Sequence, residues 1–261
     1  MIFLHPSIDP ILFSLGIIQI RWYGLAYVIG ILLGFYLIKF INRRLDFTLN
    51  NKLIDNFFIW SIAGIIIGGR VGYVLFYQFD TFLINPIYII YIWQGGMSFH
   101  GGLLGIIIST YFFAKKNNFN FFILSDLISI VAPIGIFFGR IANFINKELI
   151  GRVTDFPIAI IYPTLDQQPR HLSQLYEALF EGIILFFILI YFAYKNYPDN
   201  KFGQLSGIFL LSYGFFRFFL EFLREPDQHL GLFFNFISMG QLLSIPLILF
   251  GLFILSKKNG R

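Results

Sequence analysis

The stretch GRIANFINKELIGRVTD, from Gly139 to Asp155, places charged and polar side chains at the end of a long apolar run. Arg140 and Asn143 lie three residues apart, so both side chains share one face of a predicted helix. An arginine within a membrane costs roughly 2.5 to 3.5 kcal/mol and is kept where a partner, a water-filled cavity or an anionic ligand compensates that cost. The stretch is therefore predicted to face a polar group. The alternative interpretation is a capped helix end with surface charges.

A second polar pattern lies in YGFFRFFLEFLREPD, where another apolar run ends. Its members recur at spacings of four, four and three, which predicts one stripe along a helix: Tyr213, Arg217, Glu221 and Arg224. Arginine presents a planar fork that binds phosphate or carboxylate through two hydrogen bonds. Two interpretations stay open, an anion-binding site and a structural ladder that holds the helices together.

His100 lies in GGMSFHGGLLG, where the chain enters a predicted helix from the outer side. Helix N-termini present free N–H groups and a positive dipole end, and the glycines let an anionic group come close. Histidine can also act as a general base near neutral pH. The sequence does not separate these two roles from each other or from a structural histidine.

Three further segments supply polar residues near the outer side. In HLSQLYE, Ser173 is predicted to be a helix N-cap and Glu177 to lie one turn later, at the positive end of the helix dipole, while His171 faces the outer cavity with Gln174. IRWYGLAY places Tyr23 at the interface, and GGRVGYVLFY places Arg70 beside glycines. An aromatic belt around Tyr23 and an ion pair of Arg70 are the structural alternatives.

Several chemistries lack their sequence signals. The chain has no cysteine, so any thiol in the reaction comes from the substrate. No His, Asp and Glu cluster has metal-ligand spacing, no G-x-S-x-G motif occurs, and no Gly-rich nucleotide loop follows a strand. Metal, acyl-serine and nucleotide chemistries are therefore weak candidates.

Apolar helices must position all of these residues. The chain has 57% hydrophobic and 13% charged residues, against about 25% charged in soluble domains, which predicts a polytopic membrane protein. Because about 20 apolar residues cross the hydrocarbon core, we predict seven spans, at about 19–41, 55–77, 96–114, 121–143, 173–194, 204–223 and 236–256.

The predicted fold is an all-α bundle of about seven transmembrane helices that forms a single domain over residues 1–261. Residues 147–172 form the longest outer loop and are predicted to build a small outer-face headpiece. Smaller outer segments are predicted near 77–95 and 225–235. The N-terminal segment lacks the basic region and cleavage site of a signal peptide and is predicted to be retained.

The cations differ between the two sides of the membrane. The predicted cytoplasmic set is mostly lysine, as the positive-inside rule requires: Lys39, Arg43, Arg44, Lys52, Lys115, Lys116, Lys195, Lys201, Lys257, Lys258 and Arg261. The outer side and the helix interiors hold nearly only arginine: Arg21, Arg70, Arg140, Lys147, Arg152, Arg170, Arg217 and Arg224. The N-terminus is therefore predicted outside and the C-terminus in the cytoplasm.

Six ordered blocks together resemble one family, the bacterial prolipoprotein diacylglyceryl transferases. The blocks are RWYGL, GGRVGY, GGMSFHGG, GRIANFIN with Glu148 and Gly151, SQLYE, and FFRFFLEFLREPD, and they span essentially the whole chain. The resemblance implies an enzyme that transfers the diacylglyceryl group of phosphatidylglycerol to the lipobox cysteine sulfur of prolipoproteins and releases glycerol 1-phosphate. This is the first step of bacterial lipoprotein maturation, at the outer (periplasmic) face of the cytoplasmic (inner) membrane.

The resemblance also implies roles for residues. The implied catalytic residues are His100, Arg140 and Arg217; those for phosphatidylglycerol are Tyr23, Arg70, Arg140, Asn143 and Arg217; the supporting ones are Glu148, Gly151, His171, Tyr213, Glu221 and Arg224. The arginines suit the negative charge that develops on the leaving phosphate. The implied partners are phosphatidylglycerol, prolipoprotein signal peptides with a lipobox cysteine and the lipid bilayer, without nucleic acid or cofactor.

Two other functions use the same residues. A transporter or channel for an anion or an anionic lipid would use the arginines for selection rather than catalysis. The charges cluster toward one face, and no pair of broken helices marks a midplane site, which disfavours this alternative. The second alternative is another enzyme that consumes phosphatidylglycerol.

Overall fold

The computed structural model describes residues 1–15, 18–45, 49–195, 201–226 and 236–257. This part of the chain is mostly helical, because an apolar segment in a membrane must pair its backbone groups internally. The α-helices are α1 (Trp22–Arg44), α2 (Asn51–Tyr77), α3 (Phe79–Ile84), α4 (Phe99–Lys116), α5 (Phe121–Asn146), α6 (Ser173–Glu177), α7 (Leu185–Lys195), α8 (Gln204–Leu220) and α9 (Met239–Ser256). Short 3-10 helices follow α3 at Pro86–Ile90 and Ile92–Gln94, and the π-helical segment Ala178–Ile184 joins α6 to α7.

Five helices of the described ranges are long and apolar enough to cross a membrane: α1, α2, α5, the continuous helix Ser173–Lys195, and α9. The prediction of a mostly helical, multi-pass membrane protein is thereby confirmed. Helices α4 and α8 occupy the other two predicted spans. The predicted outer segment near 225–235 lies outside the described residues from 227 onward, as do Lys258 and Arg261.

Two pairs of short strands accompany the helices. Strand β1 (Ile2–Leu4) pairs in parallel with β4 (Ala159–Ile161), and β2 (Ile11–Leu15) pairs antiparallel with β3 (Ile18–Arg21). The first predicted span began at residue 19, whereas α1 begins at Trp22. The residues IQIR before that helix alternate between apolar and polar, which is the period of a strand.

The chain divides into two compact units, which we call the first unit (Met1–Phe40 with Asp126–Arg261) and the second unit (Ile41–Ser125). The single domain over residues 1–261 stays a prediction. In the second unit, α2 and α4 pack through glycines: a Cβ on Gly68 would lie 2.3 Å from the carbonyl oxygen of Gly101. Small residues are needed where two helix backbones approach this closely.

The first unit contains a β layer, built from residues 1–5 and 147–172. Ile160 and Tyr162 are buried there and pack against Leu172. The ring of His5 stacks on Tyr162 at 5.0 Å, and its Nε2 lies 2.9 Å from the carbonyl oxygen of Phe144 at the end of α5. The layer thus holds the N-terminus against the segment that leaves α5.

Candidate active site

Five charged side chains meet inside the first unit. Arg140 lies toward the C-terminal end of α5, and Arg217 lies in the last turn of α8. Glu177 ends α6, and Glu181 follows one turn later in the π-helical segment. Glu221 comes directly after α8. We call these five residues the charge cluster.

The two arginines share one carboxylate. Arg140 Nη1 lies 3.1 Å from Glu177 Oε2, and Arg217 Nη1 lies 2.6 Å from Glu177 Oε1. Each arginine then has a partner of its own. Arg140 Nη2 lies 2.9 Å from Glu181 Oε2, and Arg217 Nη2 lies 2.6 Å from Glu221 Oε2. Arg217 and Glu221 of the predicted stripe are therefore paired, one turn apart along the chain.

Burial differs between the cations and the anions of the cluster. The side chains of Glu177 and Glu181 are 0% exposed, whereas those of Arg140 and Arg217 are 15% and 11% exposed. Buried ions are stable when they are paired and hydrogen-bonded. The buried carboxylates of Glu177 and Glu181 therefore hold the two guanidinium groups in place, and most of the exposed surface of the cluster belongs to the arginines. Such a pair is pre-organised to bind an anion.

The π-helical segment brings the carboxylates to α5. Single π turns within α-helices occur often at functional sites, and this one contains Glu181. Gly182 follows, and a Cβ there would lie 2.7 Å from the Cβ of Phe137, one turn before Arg140. The absence of a side chain at Gly182 lets the segment approach α5 closely enough for the ion pairs to form.

The polar residues after α5 form a separate chain of hydrogen bonds. Asn143 is buried, and its Nδ2 donates to Glu148 Oε2 at 2.9 Å. Buried Gln174 donates through Nε2 to the carbonyl oxygen of Glu148 at 2.7 Å. Glu148, one of the predicted supporting residues, thus pairs with Asn143. The N-cap prediction for Ser173 is wrong, since it is the first helical residue and its hydroxyl donates to the carbonyl oxygen of Leu149.

Gly151 lies between two backbone segments of the first unit. It forms an antiparallel bridge with Arg224, and the Arg152 amide next to it donates to Leu223 at 2.9 Å. On the other side, a Cβ at Gly151 would lie 2.1 Å from the carbonyl oxygen of His171. The predicted stripe also needs correction here, because α8 ends at Leu220 and Arg224 lies beyond it, bridged to Gly151.

The substitution Gly151→Ala is expected to lower the free energy of unfolding by about 1 to 3 kcal/mol, because the new methyl group must displace backbone rather than a flexible side chain. Gly135→Ala is the matched control, since a Cβ there meets nothing within 4 Å. Thermal unfolding of both variants in one detergent measures the difference. Equal unfolding midpoints for the two variants would show that the backbone around Gly151 accommodates the methyl group without loss of stability.

Two tyrosines of the predicted site lie on α1 and α8. Tyr23 accepts a hydrogen bond from the Tyr27 hydroxyl at 3.4 Å, and the two rings meet edge to face. Tyr213 stacks on Phe209 and interacts electrostatically with Glu181 and both arginines of the charge cluster. Tyr213 is therefore close to the cluster, as the stripe predicted.

Arg70 belongs to the second unit and is buried. Its guanidinium donates to the carbonyl oxygens of Tyr88 at 2.7 Å, Ile89 at 3.1 Å, Gly95 at 2.6 Å and Gly96 at 3.3 Å. Neither of our two interpretations, an ion pair or ligand contact, foresaw this arrangement. The Arg70 side chain thus fixes the segment between α3 and α4 by binding the backbone of that segment.

The two predicted histidines differ in their surroundings. His100 is exposed in the first turn of α4, where Ser98 caps the helix by accepting from the Gly101 amide at 3.2 Å. His171 is half-buried in the first unit beside Phe156 and Tyr176. Burial lowers the pKa of His171, which favours a neutral imidazole there. In the described part of the chain, no group of three or more His, Asp or Glu residues is arranged to hold a metal ion.

Sequence reasoning missed the role of the two fully buried carboxylates. We assigned Glu177 to the helix dipole and did not single out Glu181. The signal was available: two acidic residues four apart lie in the apolar segment SQLYEALFEGII, where they share one face. Such a pair requires cations from other helices. Arg140 and Arg217 had already been singled out from the sequence and could have been matched to it.

The fold and the charge cluster together define a class: a multi-pass helical membrane protein with two half-buried arginines that can bind an anionic group. The family model for prolipoprotein diacylglyceryl transferase matches residues 10–257. The chain therefore belongs to the prolipoprotein diacylglyceryl transferase family, as the six sequence blocks predicted.

Three relatives named phosphatidylglycerol–prolipoprotein diacylglyceryl transferase resemble the chain over nearly its full length. The protein of Rickettsia bellii (strain OSU 85-389) is 47% identical, covering 98% of this chain and 97% of the relative. That of Vibrio cholerae serotype O1 (strain ATCC 39541) is 48% identical, covering 98% and 94%. That of Vibrio vulnificus (strain CMCP6) is 49% identical, covering 96% and 92%.

Proposed function

We propose that this chain transfers the diacylglyceryl group of phosphatidylglycerol to the cysteine sulfur of prolipoproteins, in the first step of lipoprotein maturation. The observation that carries the proposal is the charge cluster, which offers two arginines to a phosphate inside apolar helices. Membership in the family and the names of the relatives support it. The acceptor is the lipobox cysteine, and the product is a thioether.

The chemistry needs a thiolate and a stabilised leaving group. The acceptor thiol loses its proton, and the thiolate attacks the glyceryl carbon that bears the phosphate. The carbon–sulfur bond forms as the carbon–oxygen bond to phosphate breaks. Glycerol 1-phosphate leaves with the electron pair of that bond, so negative charge develops on the phosphate. Arg140 and Arg217 stabilise this charge through hydrogen bonds from charged donors.

Other residues of the first unit hold the donor or the arginines. Tyr23 and Asn143 orient the headgroup at the ends of α1 and α5. Glu177 fixes both guanidinium groups by bridging them. The remaining supporting residues keep the surrounding backbone and side chains in place: Glu148, Gly151, His171, Tyr213, Glu221 and Arg224.

Two residues of the second unit complete the assignment. Arg70 supports headgroup binding by fixing the segment between α3 and α4, since its guanidinium is occupied by four carbonyl oxygens. His100 is the residue for deprotonating the thiol or for positioning the headgroup, and its exposure at the start of α4 suits either role.

The substitution His100→Asn separates these two roles. Asparagine retains hydrogen bonding but cannot act as a base near neutral pH, and its exposed position leaves the fold intact. The variant is tested with an acceptor analogue whose thiol is already ionised. If His100 is a general base, the variant should turn over this analogue as fast as wild type. If His100 positions the headgroup, the defect should be as large as with the ordinary acceptor. Initial rates with both acceptors decide between the two. An undiminished rate with the ordinary acceptor would remove His100 from the reaction.

We also propose that all seven predicted spans cross the bacterial inner membrane. Helices α4 and α8 have 18 and 17 residues, or about 27 and 25 Å at 1.5 Å per residue, which approaches the 30 Å core when flanking residues are added. The β layer then forms the headpiece at the outer face. The charge cluster lies toward that face, where prolipoproteins emerge.

Reporter fusions test this orientation. A fusion after Arg261 is expected to be active only with a cytoplasmic reporter, because lysine-rich loops stay inside and seven spans separate the termini. A fusion after Gln168, in the predicted headpiece, is the matched control and should be active only outside. A C-terminal reporter that works only outside the cytoplasm would refute the orientation.

Replacement of an essential cellular activity tests the function itself. In a bacterium depleted of its own prolipoprotein diacylglyceryl transferase, the chain is expected to restore lipid attachment to lipoprotein precursors. The control is Arg140→Ala, at matched membrane abundance, which should not restore it. Unmodified precursors in cells that contain the folded wild-type chain would contradict the proposal.

A further inference from the structure

The charge cluster contains more negative than positive charge. Its members are two arginines and three glutamates, so the fully ionised cluster carries a net charge of −1. A phosphodiester headgroup adds a further negative charge when it binds. Like charges in a buried site disfavour each other, and one of them is commonly neutralised by a proton. Donor binding therefore requires the cluster to lose negative charge.

One carboxylate oxygen is compensated less than the others. Among the described residues, three buried oxygens of the cluster accept no hydrogen bond: Glu177 Oε2, Glu181 Oε1 and Glu221 Oε2. The oxygens of Glu177 and Glu221 still lie 3.1 and 2.6 Å from an arginine nitrogen. Within the part of the chain that the structure describes, Glu181 Oε1 has a single, distant ion pair, with Arg217 Nη1 at 3.8 Å. If one carboxylate of the cluster is protonated, protonation of Glu181 at Oε1 therefore removes the weakest ion pair, the one with Arg217.

Taking the proposed function as given, we propose that binding of the donor phosphate is coupled to uptake of a solvent proton by Oε1 of Glu181. The carboxylate becomes a neutral carboxylic acid, and the net charge of the cluster with its ligand returns to that of the free cluster. Oε2 still accepts from Arg140, so the fork keeps its orientation. Its charge is then directed to the phosphate instead of being shared with Glu181. Glu181 is thus a positioning residue that acts through Arg140.

The surroundings of Glu181 support this exchange. Cations from two other helices favour its ionised form, and the carboxylate of Glu177 on its own helix disfavours it. The groups that face it are Arg140 from α5, Arg217 and Tyr213 from α8, and Glu177 from its own helix. Glu221 pairs with the same Arg217. When a phosphate draws the arginines toward itself, the balance shifts to the protonated form.

Calorimetry counts the proton directly. A short-chain phosphatidylglycerol is titrated into the detergent-solubilised full chain at several pH values, in two buffers that differ in ionisation enthalpy. The dependence of the binding heat on buffer gives the number of protons taken up. We expect about one proton per donor bound on the alkaline side of the Glu181 titration and none on the acid side. Affinity should accordingly fall by up to about tenfold per pH unit over the alkaline range.

Three variants assign the proton. Glu181→Gln mimics the protonated residue, so it should bind without proton uptake and bind more tightly than wild type at high pH. Glu177→Gln should bind more weakly but keep the uptake. Asp166→Asn, which changes a half-buried carboxylate paired with Arg170 outside the charge cluster, is the matched control and should behave as wild type. If Glu177→Gln abolishes the uptake and Glu181→Gln retains it, the assignment is wrong.

The wild-type measurement stands without any variant. Absence of proton uptake at every pH at which the protein stays folded would overturn the proposal, whether or not Glu181→Gln folds. The titration contains no acceptor peptide, so it is independent of transfer. A protein that binds donor with uptake of a proton but transfers nothing would leave this inference intact and contradict the proposed function. Transfer of the diacylglyceryl group, together with donor binding that takes up no proton, would contradict this inference and leave the proposed function intact.

Discussion

Replacing Arg140 with lysine is expected to lower the initial rate of diacylglyceryl transfer by roughly ten- to a hundredfold, although the charge is preserved. The Arg140 fork uses three nitrogens, with Nε 3.2 Å and Nη2 2.9 Å from Glu181 and Nη1 3.1 Å from Glu177. An ammonium group cannot hold both carboxylates and still offer two parallel donors to a phosphate. Loss of one charge-assisted hydrogen bond of about 1.5 to 3 kcal/mol gives the expected decrease.

Rates across phosphatidylglycerol concentrations, at matched membrane abundance, measure this effect. Arg43→Lys makes the same chemical change at an exposed position at the end of α1 and should leave the rate unchanged. An Arg140→Lys rate within about twofold of wild type at all concentrations would show that charge alone matters. Arg140 would then have only a structural role.

The second large effect concerns the pair of Arg217 and Glu221. Glu221→Gln is expected to cost about 3 to 5 kcal/mol of stability, because it leaves part of a buried charge without its partner. Arg217→Glu should cost more, since the new carboxylate at position 217 would face Glu177 as well as Glu221. Combining Arg217→Glu with Glu221→Arg restores one pair but leaves the carboxylate at position 217 beside Glu177. The exchange should therefore recover only part of the stability.

Thermal unfolding in detergent of the single variants Arg217→Glu and Glu221→Arg and of the double variant measures the coupling between the two positions. The double variant is expected to be more stable than Arg217→Glu alone and less stable than wild type. A double variant no more stable than either single one, with all three inserted normally, would show that the two side chains are not coupled. Full recovery would show that Glu177 contributes little to holding Arg217.

Local patterns in the sequence were enough to predict a mostly helical, multi-pass membrane protein and to single out Arg140 and Arg217. The cost of an arginine within a membrane singled out Arg140, and a spacing of four residues placed Arg217 and Glu221 on one stripe. These inferences need only the helical period and the polarity of the surroundings. The family resemblance rested on ordered blocks of the same kind.

Contacts between distant segments were not predictable in this way. Strand β1 pairs with β4 although α1 to α5 lie between them in the sequence, and nothing local in MIFL indicates that partner. The four carbonyl oxygens around Arg70 come from backbone, which leaves no signature in side-chain types. The spacing of Glu177 and Glu181 indicates that cations are needed nearby, but the sequence does not show which arginines supply them until α5 and α8 are placed around the pair.

The most direct test of the whole account is a reaction of the purified chain with phosphatidylglycerol labelled in its diacylglyceryl group and a peptide that carries a lipobox cysteine. Mass spectrometry of the peptide and analysis of the water-soluble products follow the reaction. The account predicts that the label appears on the cysteine sulfur as a thioether, together with an equal amount of glycerol 1-phosphate. Release of glycerol phosphate without a change in the peptide would indicate another phosphatidylglycerol-consuming enzyme, and movement of intact lipid across vesicles without either product would indicate a transporter. Either result would contradict the account.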